Sequence, residues 1–400
     1  MIEFLPSRQA GLERLDAFLP RAGRRYQRDR NFDLGPDRRD NVSCLSPWLS
    51  HRLLSDWEVV QAAMDHHGLD AAEKFVDEVM WRTYWRGWLE QHRQVWDDYQ
   101  ATLSAPLPAA LEKAVARATA GQTGIECFDV WADELTRFGY LHNHARMWFA
   151  SIWVFTLKLP WERGADWFLR HLVDGDAASN TLSWRWVAGF QTVGKTYLAR
   201  EDNIRRFTEG RFSETPGLAQ SAGELPDVER PALNAVEHQR DVIDGRAVFL
   251  LTETDLFRPE LDAGCEVAAI GSLSLRRFKS NQLRGDVADS FSGGALSDAT
   301  ARLNDRFGVG ASSSLADVGE VVAFARDHGV ASVVMSRCPV GPGRTQIDDL
   351  SNRLADAGIR FKEISRRWDE VCWPYCKKGF FQFRQRIPEI VADLSQFPGA

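Results

Sequence analysis

Between Leu172 and Thr196 the chain reads LVDGDAASNTLSWRWVAGFQTVGKT, and two kinds of chemistry compete for that stretch. Its last eight residues, Gly189 to Thr196, fit G-x-x-x-x-G-K-[ST], the loop whose backbone N–H groups and lysine surround nucleotide phosphates. Its first part holds Asp174, Asp176, Asn180, Trp184 and Trp186. Carboxylates and an amide orient a polar ligand, and indoles offer packing surface and an accessible oxidation. A phosphate loop needs a buried strand that feeds a glycine-rich turn opening a helix. What precedes Gly189 is SWRWVA, short, rich in tryptophan and inside a helical stretch. The phosphate-loop match is therefore set aside as chance; only ATP binding abolished in Lys195→Ala would rescue it.

Other residues pair by spacing. Glu78 and Trp81 are three apart, and Asn143 and Met147 four apart, so each pair shares one face of a helix. No Ser-His-Asp order or paired-carboxylate motif marks a nucleophile or a general base. Six cysteines are scattered; Cys372-x3-Cys376 has no second pair at zinc spacing, so reduced thiols and no metal are expected.

The elements that must position these residues fall into two kinds. Thirteen of the fifteen tryptophans lie between Trp48 and Trp186, in a region of helical periodicity. Ala71 to Trp96 places Trp81, Trp85 and Trp88 on one face; Ile125 to Leu157 reads as one or two helices broken near Gly139; a turn and another helix follow Pro160. SETPGLAQSAGELPDVERP reads as a linker. Beyond it, AVFLL, EVAAI, VASVVM and IRFKEI are short strand-like runs, mostly separated by helical stretches, which predicts a parallel sheet covered on both faces. The expected division is a helical domain over 1–212, a linker over 213–244 and an α/β Rossmann-like domain over 245–400, without a G-x-G-x-x-G fingerprint after the first strand.

A net charge of -7 excludes a protein coated in basic charge, so any nucleic-acid contact must come from a local basic face. MIEFLPSRQ lacks a signal-peptide profile, and the run Met147 to Leu157 is far short of the roughly 20 apolar residues of a membrane span. A soluble, cytoplasmic monomer is expected.

Four blocks occur in order: VSCLSPWLSHRLLS (Val42 to Ser55), FVDEVMWRTYWRGWL (Phe75 to Leu89), GYLHNHARMWFAS (Gly139 to Ser151) and DGDAASNTLSWRW (Asp174 to Trp186). Together they resemble the FAD-binding domain of the photolyase and cryptochrome family, over roughly residues 20–205. The resemblance implies an all-α FAD-binding domain. It places the FAD phosphates against Ser43, Leu45 and Ser46, with Tyr26 as a further contact, the Arg146–Asp174 pair beside the flavin, Asp176 near ring and ribose, and Asn180 facing the reactive flavin nitrogen. Trp184 and Trp161 match the first two members of the electron-transfer chain. The third has no match in LSAPLPAALEK, which leaves Trp148 or Trp153 as an exit.

For repair, the resemblance implies Glu78 at the pyrimidine edge, Trp81 and Trp186 packed on a cyclobutane pyrimidine dimer, and Asn143 and Met147 lining the same pocket. Arg82, Arg86 and His144 are candidates for phosphate contact with UV-damaged DNA at the rim. The function implied is light-driven dimer splitting by electron transfer from reduced, photoexcited FAD; the alternative is a cryptochrome-like blue-light sensor acting through a signalling partner. Val42, Cys44, His144 and SNTLSWRW depart from the family's commoner residues. The order departs too: relatives begin with an α/β antenna domain, whereas here the α/β domain follows, which suggests a circular permutation. Whether a second antenna chromophore binds there is left open by the sequence.

Overall fold

In the computed structural model, residues 3–397 are described apart from 193–194, 224–229, 240, 276–284 and 311. Val193 and Gly194 of the phosphate-loop match thus lie outside the described residues. What precedes Gly189 is the helix Ala177–Ala188, and Gly189 closes it in the left-handed conformation (φ 88°). A strand does not feed this turn, so the loop lacks its required context.

From Arg8 to Phe207 the chain is helical. Five helices concern the site: Leu69–Gln91, Glu126–Phe138, Asn143–Ser151, Trp161–His171 and Ala177–Ala188. The break expected near Gly139 is a left-handed cap (φ 63°), where an added Cβ would lie 2.6 Å from Val173 Cγ2. The helix expected to reach Trp96 stops at Gln91 and restarts at Gln94–Ser104. There His92 stacks on Trp88 at 3.9 Å and its Nδ1 donates to the Trp88 carbonyl (2.7 Å), closing the last turn.

Five parallel strands follow: β1 (Gly245–Leu251), β2 (Cys265–Leu273), β3 (Ser312–Leu315), β4 (Ser332–Ser336) and β5 (Arg360–Ile364), in the order β3-β2-β1-β4-β5. Four match the strand-like runs of the sequence. The edge strand β3 does not: SSSL is mostly exposed and carries no apolar run to read. Alternation along β1 sends Val248 and Leu250 to one face and Ala247, Phe249 and Leu251 to the other. The second face joins the helices, so one apolar core continues from Leu15 to Phe397. Strand order reverses between β1 and β4, and a cleft lies beyond their carboxyl ends. Thr254 and Val340 line it from the sheet side, and His51, Arg86 and Asp176 from the helical side.

The C-terminal segment returns to the long helix Leu69–Gln91. Trp368 Nε1 donates to Thr83 Oγ1 (2.9 Å), and a Cβ at Gly87 would meet Trp373 at 2.4 Å, so only glycine admits this indole. The two late tryptophans therefore complete the packing of the tryptophan-rich half. Among the described residues, no helix is long and apolar enough to cross a membrane.

Candidate functional site: buried arginine–aspartate pairs and an accessible aromatic rim

The site begins with the turn before Ala177–Ala188. Asp176 caps this helix by accepting from the Ser179 amide (2.8 Å), and its Oδ2 accepts from Arg86 Nε (2.6 Å). Burial pushes the Asp176 carboxyl up, but Arg86, Arg82 and the Ser179 amide more than offset it and hold it well below the usual carboxylate range. Asp174 accepts from Arg146 Nη2 (2.9 Å); burial is again outweighed, here by Arg146 and a hydrogen bond from Ser46. The expected Arg146–Asp174 pair is thus present, and Ser46 joins it. Asn180 is buried and its Nδ2 donates to the Ala165 carbonyl (2.8 Å), which fixes the amide orientation.

Residues expected at the cofactor are largely interior. Tyr26, Leu45, Asp174, Asp176 and Asn180 are buried, and Ser43, Ser46 and Arg146 half-buried. Tyr26 packs edge-on to Phe18 and Phe75. Arg82 Nη1, Asp174 Oδ1 and Ser179 Oγ are buried atoms without a hydrogen-bond partner. Buried polar groups are nearly always paired, so these orphans mark where a polar ligand completes the set. Their chemistry, with two arginine–aspartate pairs and flanking hydroxyls, fits FAD.

The residues expected at the substrate behave differently. Glu78, Trp81, Met147 and Trp186 are half-buried and Asn143 is exposed. Glu78 is ion-paired with Arg30, a partner that the sequence reading did not include. Burial raises the Glu78 carboxyl, with Arg30 opposing. Trp81 stacks on Phe380 at 3.6 Å and 12°, and Trp186 on Tyr197 at 5.9 Å.

The rim role expected of the arginines is where the structure departs most. Arg86 is 5% exposed, held by Asp176 and by the Ser50 carbonyl (2.7 Å). Arg82 is half-buried with Nη1 enclosed, its charge beside Asp176, Arg86 and Asp56. Arg86 thus pairs with an interior carboxylate, and the Arg82 charge faces Asp176 without a direct hydrogen bond from its Nη1. His144 contacts the Asn31 carbonyl and the Tyr197 hydroxyl, both at 3.0 Å, and burial lowers its pKa, so it is not a free cation either.

Trp184 meets Phe168 (5.1 Å) and Trp153 (6.1 Å). Gly164 permits this, since a Cβ there would lie 2.4 Å from the Trp184 ring. Trp161 instead stacks on Tyr99 (5.5 Å), which continues to Trp96 (5.2 Å). Of the two candidate exits, Trp153 touches Trp184, whereas Trp148 stacks on Trp131 and His144.

His142 ties Arg30, the partner of Glu78, to the helix that carries His144. Its Nε2 donates to the Arg30 carbonyl (3.0 Å) and its Nδ1 accepts from the His144 amide (3.1 Å). Burial pushes its pKa down to about 4, against the opposing charge of Asp33. A folded pKa below the unfolded one, near 6.5, means that this contribution to stability is present above pH 6.5 and lost as pH falls through about 4. We expect His142 to account for about 3 kcal/mol of acid destabilisation. Thermal melts from pH 7 to 4 should show it, and His142→Gln should flatten the slope; an unchanged slope would refute the assignment.

The family model described as the FAD binding domain of DNA photolyase matches residues 75–211. The deoxyribodipyrimidine photo-lyase of Streptomyces griseus is 33% identical over 224 residues, covering 52% of this chain and 48% of that protein. Cryptochrome DASH of Gloeobacter violaceus is 28% identical over 199 residues, covering 47% and 39%. A crystal structure of a bacterial class III photolyase from Agrobacterium tumefaciens aligns with 50% of this chain and 45% of that one, at 27% identity and a TM-score of 0.39. The chain spans less than half the length of these relatives.

Proposed function

We propose, from a chain whose residues 75–211 belong to the FAD-binding domain of DNA photolyase, that the protein splits cyclobutane pyrimidine dimers in DNA under blue light. One observation carries this reading: none of the five residues expected at the dimer is buried, four being half-buried and Asn143 exposed, while five of the eight expected at the cofactor are buried and the other three half-buried. Glu78 and Trp81 share the helix Leu69–Gln91 with Arg82, which lies one turn from Glu78 and next to Trp81, and whose charge faces Asp176 and Asp174.

Bound and reduced FAD supplies, on absorbing light, the electron that opens the cyclobutane ring and receives it back. The chain's own residues bind and orient. Arg146, Asp174, Arg86 and Asp176 form the charged cradle; Asn180 offers its amide; Glu78 hydrogen-bonds the pyrimidine edge; Trp81 and Trp186 pack on the dimer and exclude water. A damaged pair is the easiest to flip out, because its stacking is already weakened. Trp184 begins the route by which electrons reach the site, and Trp153 or Trp161 continues it. We read the helices-then-sheet order as a permuted photolyase architecture, with domains at 1–212 and 245–400. Any second chromophore would belong to the latter.

The test is dimer loss from an oligonucleotide with one thymine dimer, using reduced, flavin-loaded protein in blue light and in darkness. Loss only in light, falling at least tenfold in Glu78→Ala, is expected. No loss from flavin-replete, photoreducible protein would sink the repair reading and favour a blue-light sensor, which needs none of Glu78, Trp81, Asn143, Met147 and Trp186.

A further inference from the structure

The segment from Tyr375 to Arg386, YCKKGFFQFRQR, holds four cations and no carboxylate in a chain of net charge -7. It is held firmly. Phe380 stacks on Trp81, the Tyr84 hydroxyl donates to the Lys378 carbonyl (2.5 Å), and Arg384 Nε donates to Asp77 (2.9 Å). Phe380 and Phe383 are buried, but Phe381 between them is 75% exposed, the most exposed large apolar side chain among the described residues. Arg384 and Arg386 are paired with Asp77 and Glu389. Lys377 and Lys378 are exposed and make no ion pair among the described residues.

The projecting Phe381 ring beside two unneutralised lysines suits a nucleic-acid strand. Bases present aromatic faces for stacking and phosphates take the cations. A protein partner would call for a contiguous apolar patch, whereas here Phe380 and Phe383 are turned inward and the exposed Tyr375 ring is capped by the Arg386 guanidinium at 5.5 Å. The contact of Phe380 with Trp81 joins this platform to one of the residues expected at the dimer.

We propose that Phe381, Lys377 and Lys378 form a docking surface for the DNA strand that flanks the damaged pair. Phe381 stacks on a neighbouring base, and the two lysines contact phosphates. This rests on the dimer-repair reading above. The C-terminal segment thereby supplies a DNA contact from outside the family-matched residues 75–211.

The experiment is fluorescence anisotropy, in the dark and over a salt series, of a labelled oligonucleotide bearing one cyclobutane thymine dimer with full-length, flavin-loaded protein. Phe381→Ser should weaken binding about tenfold, and Phe381→Trp should keep it tight. Lys377→Ala with Lys378→Ala should lower the slope of log affinity against log salt by roughly 1.5. Unaltered flavin absorption and thermal midpoint confirm that the variants are folded. If the wild type splits dimers while all variants bind with its affinity and salt slope, the docking surface is wrong and the repair reading stands. If the wild type neither binds nor splits the dimer strand, both fall together.

Discussion

Asp176→Ala is expected to remove about 4 kcal/mol of stability and to leave the purified protein largely free of flavin. Two losses coincide at this residue. The carboxylate caps Ala177–Ala188 through the Ser179 amide, and such a cap contributes about 1 kcal/mol. It is also the partner of Arg86, buried beside Arg82, and removing one member of a buried pair costs about 3–5 kcal/mol by leaving its charge uncompensated. Asp176→Asn keeps the cap and loses only the charge, so it should fall between wild type and alanine. Because the Asp176 carboxyl is held below its usual range, its contribution is present above about pH 4 and lost as pH falls further. The alanine deficit should therefore be flat from pH 5 to 8. Denaturant unfolding and flavin absorbance per polypeptide measure both effects. A loss below 1 kcal/mol with full flavin content would overturn the assignment.

Arg52→Leu is expected to cost a similar amount for a different reason. Arg52 lies in the helical half, and its Nη1 donates to Asp255 (3.0 Å), which follows β1. Its Nη2 donates to both oxygens of Asp369 at 2.6 and 2.8 Å. Arg366 holds Asp255 from the other side at 2.5 and 2.8 Å. All four residues are buried. Without Arg52, Asp255 keeps a partner, while Asp369 loses its bidentate one. A loss of about 3–4 kcal/mol, seen as a thermal midpoint lower by at least about 6 °C, should follow. Adding Asp369→Leu should recover part of it, because the stranded carboxylate is then gone. A double variant no better than the single one would show that Arg52 acts through packing and not through charge.

Much of this molecule was legible from local pattern. Periodicity marked the helices through Ala188, glycine marked the break at 139, and β-branched runs marked four of the five strands. The ordered blocks led to the FAD-binding resemblance, and the Arg146–Asp174 pair is formed as expected. These features are readable because helix and strand periods, caps and motif spacing are set by residues close in sequence.

What lay beyond the sequence required partners distant along the chain. Nothing around β3 shows an apolar alternation, because an exposed edge strand is specified by its neighbour β2. Nothing around Arg86 distinguishes an inward arginine from a surface one; its direction is decided by Asp176 across a helix interface. The pairing of Glu78 with Arg30 and the stacking of Trp81 on Phe380 likewise arise only when separate segments close on one helix. The sequence by itself determined which residues could do chemistry and which elements would carry them. The tertiary structure alone decided which charges turn inward and which aromatic faces stay accessible, because buried charges must be neutralised by whatever the fold brings within reach.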